Sequence, residues 1–315
     1  MQIIIENIRS FAGSHTIPIR PLTILTGENS SGKSTLLAVV SAIHDAFGFP
    51  LNPRFNEAPY HLGGFDTIAT YKGGRHGRAK SFTVGFIQDD RSGKGATEQR
   101  ATYRNRLGQA ELSELTIKNA TGEIHLTISH TRGQQTASLT LSFDSQSSTH
   151  EFSLGSVLAE VGRINLADFM MLYVSSEQQK GSRERAEPWT EGLRLRAYRM
   201  IRDARLSSAV SIAPIRSRPK RTYDEVTEEF TPEGDHIPYV LRRHLETASP
   251  DNKEAFLSAL QRFGQQSGLF RGLDIKRLGS TLSDPFRIMV KGAGPPANLL
   301  DVGYGVSQAL PVAPH

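Results

Sequence analysis

The stretch Gly27-Glu28-Asn29-Ser30-Ser31-Gly32-Lys33-Ser34-Thr35 satisfies the pattern G-x-x-x-x-G-K-[ST]. It follows an apolar run, Leu22 to Thr26, and opens a helical pattern, which is the strand–loop–helix context that gives the pattern physical meaning. Two glycines let the backbone turn tightly enough that successive N–H groups face inward, and the positive end of the following helix adds to the field on an anion placed there. Lys33 would reach the outer phosphates of a nucleotide, and the Ser34 hydroxyl is the expected ligand of Mg²⁺, a hard cation that prefers oxygen. Residues 27–35 are therefore the expected nucleotide cradle.

The flanking pattern reads as an α/β opening: strands over Gln2–Glu6, His15–Ile19 and Leu22–Thr26, then a helix from Gly32 to about Phe47, ended by Gly48 and Pro50. From Ser81 to Leu154 the period changes to two, as in Phe82/Val84/Phe86, Ile124/Leu126/Ile128 and Leu139/Leu141/Phe143, with turn signals at Asn119–Gly122 and Arg132-Gly133; this predicts a β-meander. Beyond Gly155 the chain reads as mainly helical. Leu193, Ala197, Met200, Ile201 and Ala204 share one stripe, with Arg194, Arg196, Arg199, Arg202 and Arg205 off it. Ser249-Pro250 opens a second helix whose buried stripe is Phe256, Leu257, Leu260 and Phe263, stopped by Gly264 or Gly268. The expected divisions are an N-terminal lobe over 1–80, the meander over 81–155, a helical subdomain over 156–270, and strands with a signature-like motif over 271–315.

Composition narrows the chemistry. With no cysteine there is no thiol nucleophile, no Cys-ligated zinc or iron–sulfur cluster and no disulfide, and a reducing cytoplasm is the expected setting. The histidines show no tight metal spacing. No apolar run approaches a membrane span, so no membrane partner is expected. A net charge of +5 permits a polyanionic partner without demanding one. Three cationic groups could neutralise DNA phosphates without reading sequence: the arginine face of 193–205, Arg216/Arg218/Lys220/Arg221, and Arg75/Arg78/Lys80. Such faces are also commonly just solvated, and Glu184, Glu187, Glu191 and Asp203 lie close enough in sequence to compensate.

A GTPase would need Asn-Lys-x-Asp, and Asn252-Lys253-Glu254-Ala255 fails at its last position; Asp90-Arg-Ser-Gly93 matches D-x-x-G only within a polar glycine-rich loop. The stretch Asn298-Leu-Leu-Asp-Val-Gly-Tyr-Gly-Val-Ser-Gln-Ala-Leu-Pro311 places Gly303 and Gly305 before Ser307 at the start of an apolar helix, where N–H groups and a hydroxyl can converge on an anion. The same residues also suit an ordinary loop capping a buried helix. Together with the early P-loop and the opening Glu6-Asn-Ile-Arg-Ser-Phe11, this stretch resembles the signature of ABC-type ATPases of the RecF/SMC and OLD (overcoming lysogenization defect) group, which includes stand-alone AAA-type ATPases of anti-phage systems.

The resemblance implies an α/β P-loop NTPase, ABC ATPase head-like, with an antiparallel β-meander and a helical subdomain. It implies ATP and Mg²⁺ as cofactors and Arg9 beside the cradle. It also implies a homodimer or higher homo-oligomer in which Ser307, Gly305 and Gln308 of one copy close on the phosphate held by Lys33 of another, in the service of a DNA-directed or anti-phage effector such as a nuclease partner. A run over Ile212–Tyr223 is similar to a Pro-Leu-Arg-x-x-Pro-x-Arg stretch in the same proteins; it reads either as a proline-braced loop whose arginines pair with carboxylates or as a phosphate or DNA contact. One departure stands out. In that group the signature helix precedes a strand ending in the Walker B carboxylates, whereas here the sequence runs only to His315. The internal mimics, Phe82–Asp90 and Phe169–Glu177, precede the signature and read as a meander strand and a packed segment. The expectation is a chain that binds nucleotide and turns it over poorly by itself, as a truncated form or a non-hydrolysing nucleotide-dependent scaffold.

Overall fold

The computed structural model describes residues 1–45, 48–89, 95–131, 134–144, 146–153, 191–214, 216–224, 229–281 and 284–311. The chain divides into two compact units, Met1–Val210 and Ser211–His315. The division differs from the one the sequence suggested. The helix over 191–203 belongs with the sheet of the first unit because its apolar stripe joins that core, and the later helices share a unit with the C-terminal strands.

The first unit is built on an eight-stranded, wholly antiparallel sheet in the order β2-β1-β3-β4-β5-β6-β7-β8. The strands are β1 (Gln2–Ile8), β2 (Phe11–Pro18), β3 (Ser81–Asp89), β4 (Ala96–Arg106), β5 (Gln109–Asn119), β6 (Gly122–Thr131), β7 (Gln134–Phe143) and β8 (Gln146–Ser153). Alternation sets its faces: Phe82, Val84 and Phe86 of β3 and Leu139, Leu141 and Phe143 of β7 are buried. The outer face carries cross-strand hydroxyl pairs, Thr83–Thr102 at 2.9 Å and Thr140–Thr149 at 2.9 Å. Helix α1 (Lys33–Ile43) packs on β1 and β3 through Leu36, Ala38, Val39, Ala42 and Ile43. A single-turn helix, α2 (Phe65–Ile68), meets β4. Helix α3 (Glu191–Asp203) packs on β7 with the stripe the sequence implied, Leu193, Ala197, Met200 and Ile201, and with Ala204 just past its end.

One expected strand is absent. Leu22–Thr26 forms no ladder with any described residue, and Leu22 and Ile24 are 79% and 76% exposed. Its apolar residues on both faces suit a strand buried in a sheet, but a strand exists only where a neighbour accepts and donates its backbone hydrogen bonds. Only Leu25 reaches the core. The expected α1 start is borne out to within one residue, and the helix is assigned to Ile43; Phe47 lies outside the described residues, as do Asp90, Leu154 and Phe169–Glu177.

The second unit holds α4 (Ile237–Glu246), α5 (Pro250–Ser267) and a three-stranded antiparallel sheet, β9 (Gly272–Arg277), β10 (Phe286–Lys291) and β11 (Ala297–Asn298), followed by a 3-10 turn (Leu299–Asp301) and α6 (Tyr304–Ala309). Helix α5 starts at Pro250 as expected and stops at Gly268, left-handed at φ +70°. Its stripe is shallower than expected: Leu260 is buried, whereas Phe256, Leu257 and Phe263 are half-buried, because the helix lies over one flank of a small sheet. A buried ion pair braces this unit. Arg242 and Glu246 are one helical turn apart at 2.9 Å, Arg277 meets the other Glu246 oxygen at 2.7 Å, and Arg242 also donates to the Thr281 and Asp284 carbonyls. Burial alone would raise the Glu246 carboxyl, but the hydrogen bonds from Arg277 and Arg242 outweigh it and hold it below its ordinary range. No helix among the described residues is long and apolar enough to cross a membrane.

Candidate functional site: a phosphate cradle and a signature-like turn

The cradle is shaped by the β1–β2 hairpin as much as by its own glycines. Asn7 and Arg9 adopt left-handed φ values of 56° and 46°, the register shifts between Glu6 and Ile8, and the Asn7 side chain accepts from the Gly13 N–H at 3.0 Å. This turn brings Ser10 and Phe11 against the loop so closely that a Cβ on Gly32 would lie 2.6 Å from Ser10 Oγ and 2.8 Å from Phe11 Cε2. Gly32 itself sits at φ +102° and caps α1 without a side-chain bond; Gly27 sits at φ +148°. Ser30 is left-handed at φ 64°, and the Ser31 N–H returns to the Glu28 carbonyl at 3.3 Å.

The result is a cavity of about 390 Å³ lined by Arg9, Ser10, Asn29, Ser30, Gly32, Lys33, Ser34 and Thr35. The first helical bond is Leu36 N–H to Gly32 O at 2.9 Å, so the Lys33, Ser34 and Thr35 N–H groups have no acceptor among the described residues. Lys33 Nζ folds back onto the Gly27 carbonyl at 2.8 Å and the Glu28 carbonyl at 2.6 Å. A compact group of unmatched donors, a cation held at the loop and an exposed hydroxyl at Ser34 fit a polyphosphate with Mg²⁺. Arg9 lines the same cavity, but its guanidinium donates to the Leu62 carbonyl at 2.9 Å and the Thr67 carbonyl at 3.2 Å, tying α2 and the segment before it to the hairpin. No carboxylate lines the cavity among the described residues. Ser10 is the lining residue that sequence reading missed; its neighbour Arg9 was the only signal.

In the second unit, two stretches singled out by sequence come together. Tyr223 bridges to Phe286 of β10, Arg221 grips Asp301 through two bonds at 2.7 and 2.9 Å, Asn298 Nδ2 donates to the Arg221 carbonyl at 2.9 Å, and Arg216 donates to the Gln308 carbonyl. The hydrogen bond with Arg221 holds Asp301 below its ordinary carboxylate range and raises Arg221. For Arg221 the carboxylate-paired loop is therefore the arrangement found. Of the signature-like residues, Gly305 is exposed, Ser307 is buried and donates to the Tyr304 carbonyl at 2.9 Å, and the Gln308 side-chain nitrogen is buried without an acceptor among the described residues. The cationic groups of the first unit are partly internal: Arg196 pairs with Asp144 at 2.6 Å, Arg202 with Asp203 at 3.0 Å, and Arg78 lies 4.9 Å over the Tyr71 ring. Glu184 and Glu187 lie outside the described residues, and so does the Glu191 side chain.

A glycine-shaped loop that opens a helix, with its N–H groups unmatched and a lysine and a serine at its mouth, defines a P-loop nucleotide-binding protein. Residues 2–187 match the model of the AAA domain family, and the chain belongs to that family of P-loop ATPases. No curated protein matches the chain.

Proposed function

We propose that the chain is a Mg²⁺-ATP-dependent switch of the ABC type. Nucleotide held by residues 27–35 of one copy is closed over by Ser307, Gly305 and Gln308 of a second, and the closure drives a DNA-directed or anti-phage effector in the cytoplasm. The observation that carries the nucleotide part is the cradle itself: three unmatched helix N–H groups, Lys33 and Ser34 around one cavity. Bound Mg²⁺ would neutralise phosphate charge beside Ser34. Lys33 exchanges its two loop carbonyls for phosphate oxygens, and Ser34 and the N–H groups orient them. The dimer and the effector are supported by the resemblance of Gly303–Gln308 to the signature; closure requires Ser307 to turn from the Tyr304 carbonyl. DNA phosphate contact is supported by Arg75, Lys80 and Arg199, exposed cations with no partner among the described residues.

A second reading, a non-hydrolysing nucleotide-dependent scaffold, is favoured by one observation, the absence of a carboxylate from the described lining of the cradle. The deciding experiment measures Mg²⁺-ATP binding, steady-state hydrolysis and sedimentation for the parent, Lys33→Ala and Ser307→Ala. Binding markedly weakened in Lys33→Ala, and an ATP-dependent dimer lost in Ser307→Ala while monomer binding persists, is the expected result. A Ser307→Ala protein that dimerises on ATP like the parent overturns the trans contact. Binding and dimerisation without turnover select the scaffold.

A further inference from the structure

We propose that the cavity between the 217–223 run and α6 is a second ligand site, separate from the P-loop, for a small organic anion with an aromatic or apolar body. Its volume is about 360 Å³, within the range of pockets that hold small molecules. The floor is apolar, formed by Tyr239 of α4, Ile288 of β10, Leu299 of the 3-10 turn and Leu310 at the end of α6, all in the second unit's core. Such a floor matches an apolar body, since burying a polar group there without a partner would be unfavourable.

The rim carries the charge. Of the basic residues over 216–221, Arg216 and Arg221 are committed to the Gln308 carbonyl and to Asp301, but the Arg218 and Lys220 side chains line the cavity without a partner among the described residues. Among the described residues the single acid in the lining is Asp235, against the two cations Arg218 and Lys220. The Tyr223 hydroxyl oxygen accepts from the Lys220 N–H at 3.1 Å, and burial, with Asp235 nearby, raises its pKa, so it remains a neutral part of the wall that can still donate its O–H. An anionic group at Arg218 and Lys220 with its body on the floor uses every feature of the cavity. The occupant would touch Ser307, which lines the same space, and so would act on the signature-like helix α6 without entering the cradle.

The test titrates the full chain with 1-anilinonaphthalene-8-sulfonate and with N-phenyl-1-naphthylamine, which has the same ring system without the sulfonate, following fluorescence. The expected result is one saturable sulfonate site per chain. It should be tighter than the neutral probe by about tenfold, a difference of one charge-assisted contact. Arg218→Glu/Lys220→Glu should erase that preference, and Arg218→Lys/Lys220→Arg should restore it. Lys33→Ala, without nucleotide, should leave it intact, which separates this site from the nucleotide reading. Should the charge reversal fail to fold by circular dichroism, Arg218→Gln/Lys220→Gln takes its place. Equal affinity for the two probes, sulfonate binding indifferent to these substitutions, or binding abolished by Lys33→Ala overturns the proposal.

Discussion

Replacing Gly32 by alanine puts the geometry of the cradle under direct test. At φ +102° an L residue is strained by about 1–3 kcal/mol. The new methyl would also meet Ser10 Oγ at 2.6 Å and the Phe11 ring at 2.8 and 3.1 Å. The serine hydroxyl can rotate away, but the ring is held edge-on to His15, with centroids 5.6 Å apart, and packs against the core, so displacing it adds an overpacking cost of about 1–3 kcal/mol. The free protein escapes by letting the loop relax to negative φ, which turns the Lys33 N–H out of the cradle. Most of the cost therefore appears as lost affinity. About 2 kcal/mol is the lower bound, close to thirtyfold in the Kd for Mg²⁺-ATP by titration calorimetry. Gly268→Ala is the matched control. Gly268 has φ +70° with open space around its Cβ position, so this substitution carries only left-handed strain, about 1–2 kcal/mol of stability, and leaves the Kd unchanged. A Gly32→Ala protein that binds Mg²⁺-ATP like the parent refutes the reasoning, as does an equal loss of affinity in Gly268→Ala.

Lys33→Ala removes a cation facing the phosphates and should weaken Mg²⁺-ATP binding by about 10- to 100-fold, the value of a charged hydrogen bond, with no fall in melting temperature of the free protein. Tyr103→Phe removes a buried hydroxyl that donates to the Pro50 carbonyl at 2.7 Å, and should cost about 1–3 kcal/mol in urea unfolding of the first unit. Ile24→Ser should change stability by less than about 0.5 kcal/mol if the segment before the loop is unpaired, whereas a larger loss would mean that it lies in a sheet. Because the folded Glu246 carboxyl is held below its ordinary value, its contribution is present at neutral pH and is lost as pH falls through the folded value. Glu246→Gln should cost about 3–5 kcal/mol at pH 7 by stranding buried Arg242, and should flatten the acid limb of a stability–pH profile.

What was legible in the sequence was what depends on local periodicity. The meander over 81–153, the stripe of α3 and the start of α5 at Pro250 follow from side chains alternating every two or every 3.6 residues and from residues with fixed backbone preferences, while the end of α5 was legible only as either Gly264 or Gly268. Leu22–Thr26 was misread because its composition states what the segment would bury but not which strand would accept its hydrogen bonds; pairing is a tertiary fact. Ser307 shows the same limit at the scale of one side chain. The glycines and the hydroxyl could be read, but the choice of the Tyr304 carbonyl three residues back could not. The Arg242–Glu246 pair was not singled out in the sequence; its burial with Arg277 depends on β9 packing against the helix.

The cradle also shows why nucleotide binding and nucleotide hydrolysis can be separate properties of one chain. Its donors come from a nine-residue motif and from the adjoining hairpin, so the anion site forms wherever those two local structures meet. Donors that grip phosphate equally in the ground state and the transition state tighten binding without accelerating cleavage. Acceleration requires a group that orients the attacking water in line, and a carboxylate is the usual one; among the described residues that line the cradle, Arg9 and Lys33 can only donate, the hydroxyls accept weakly, and Asn29 offers an amide oxygen rather than a carboxylate. Arg9 is moreover spent on the Leu62 and Thr67 carbonyls, so even its charge acts on α2 and the segment before it rather than freely on a nucleotide. On the proposed reading, a water-orienting carboxylate would come from outside the described residues that line the cradle, and closure of a second copy over the phosphates is the step that would deliver it.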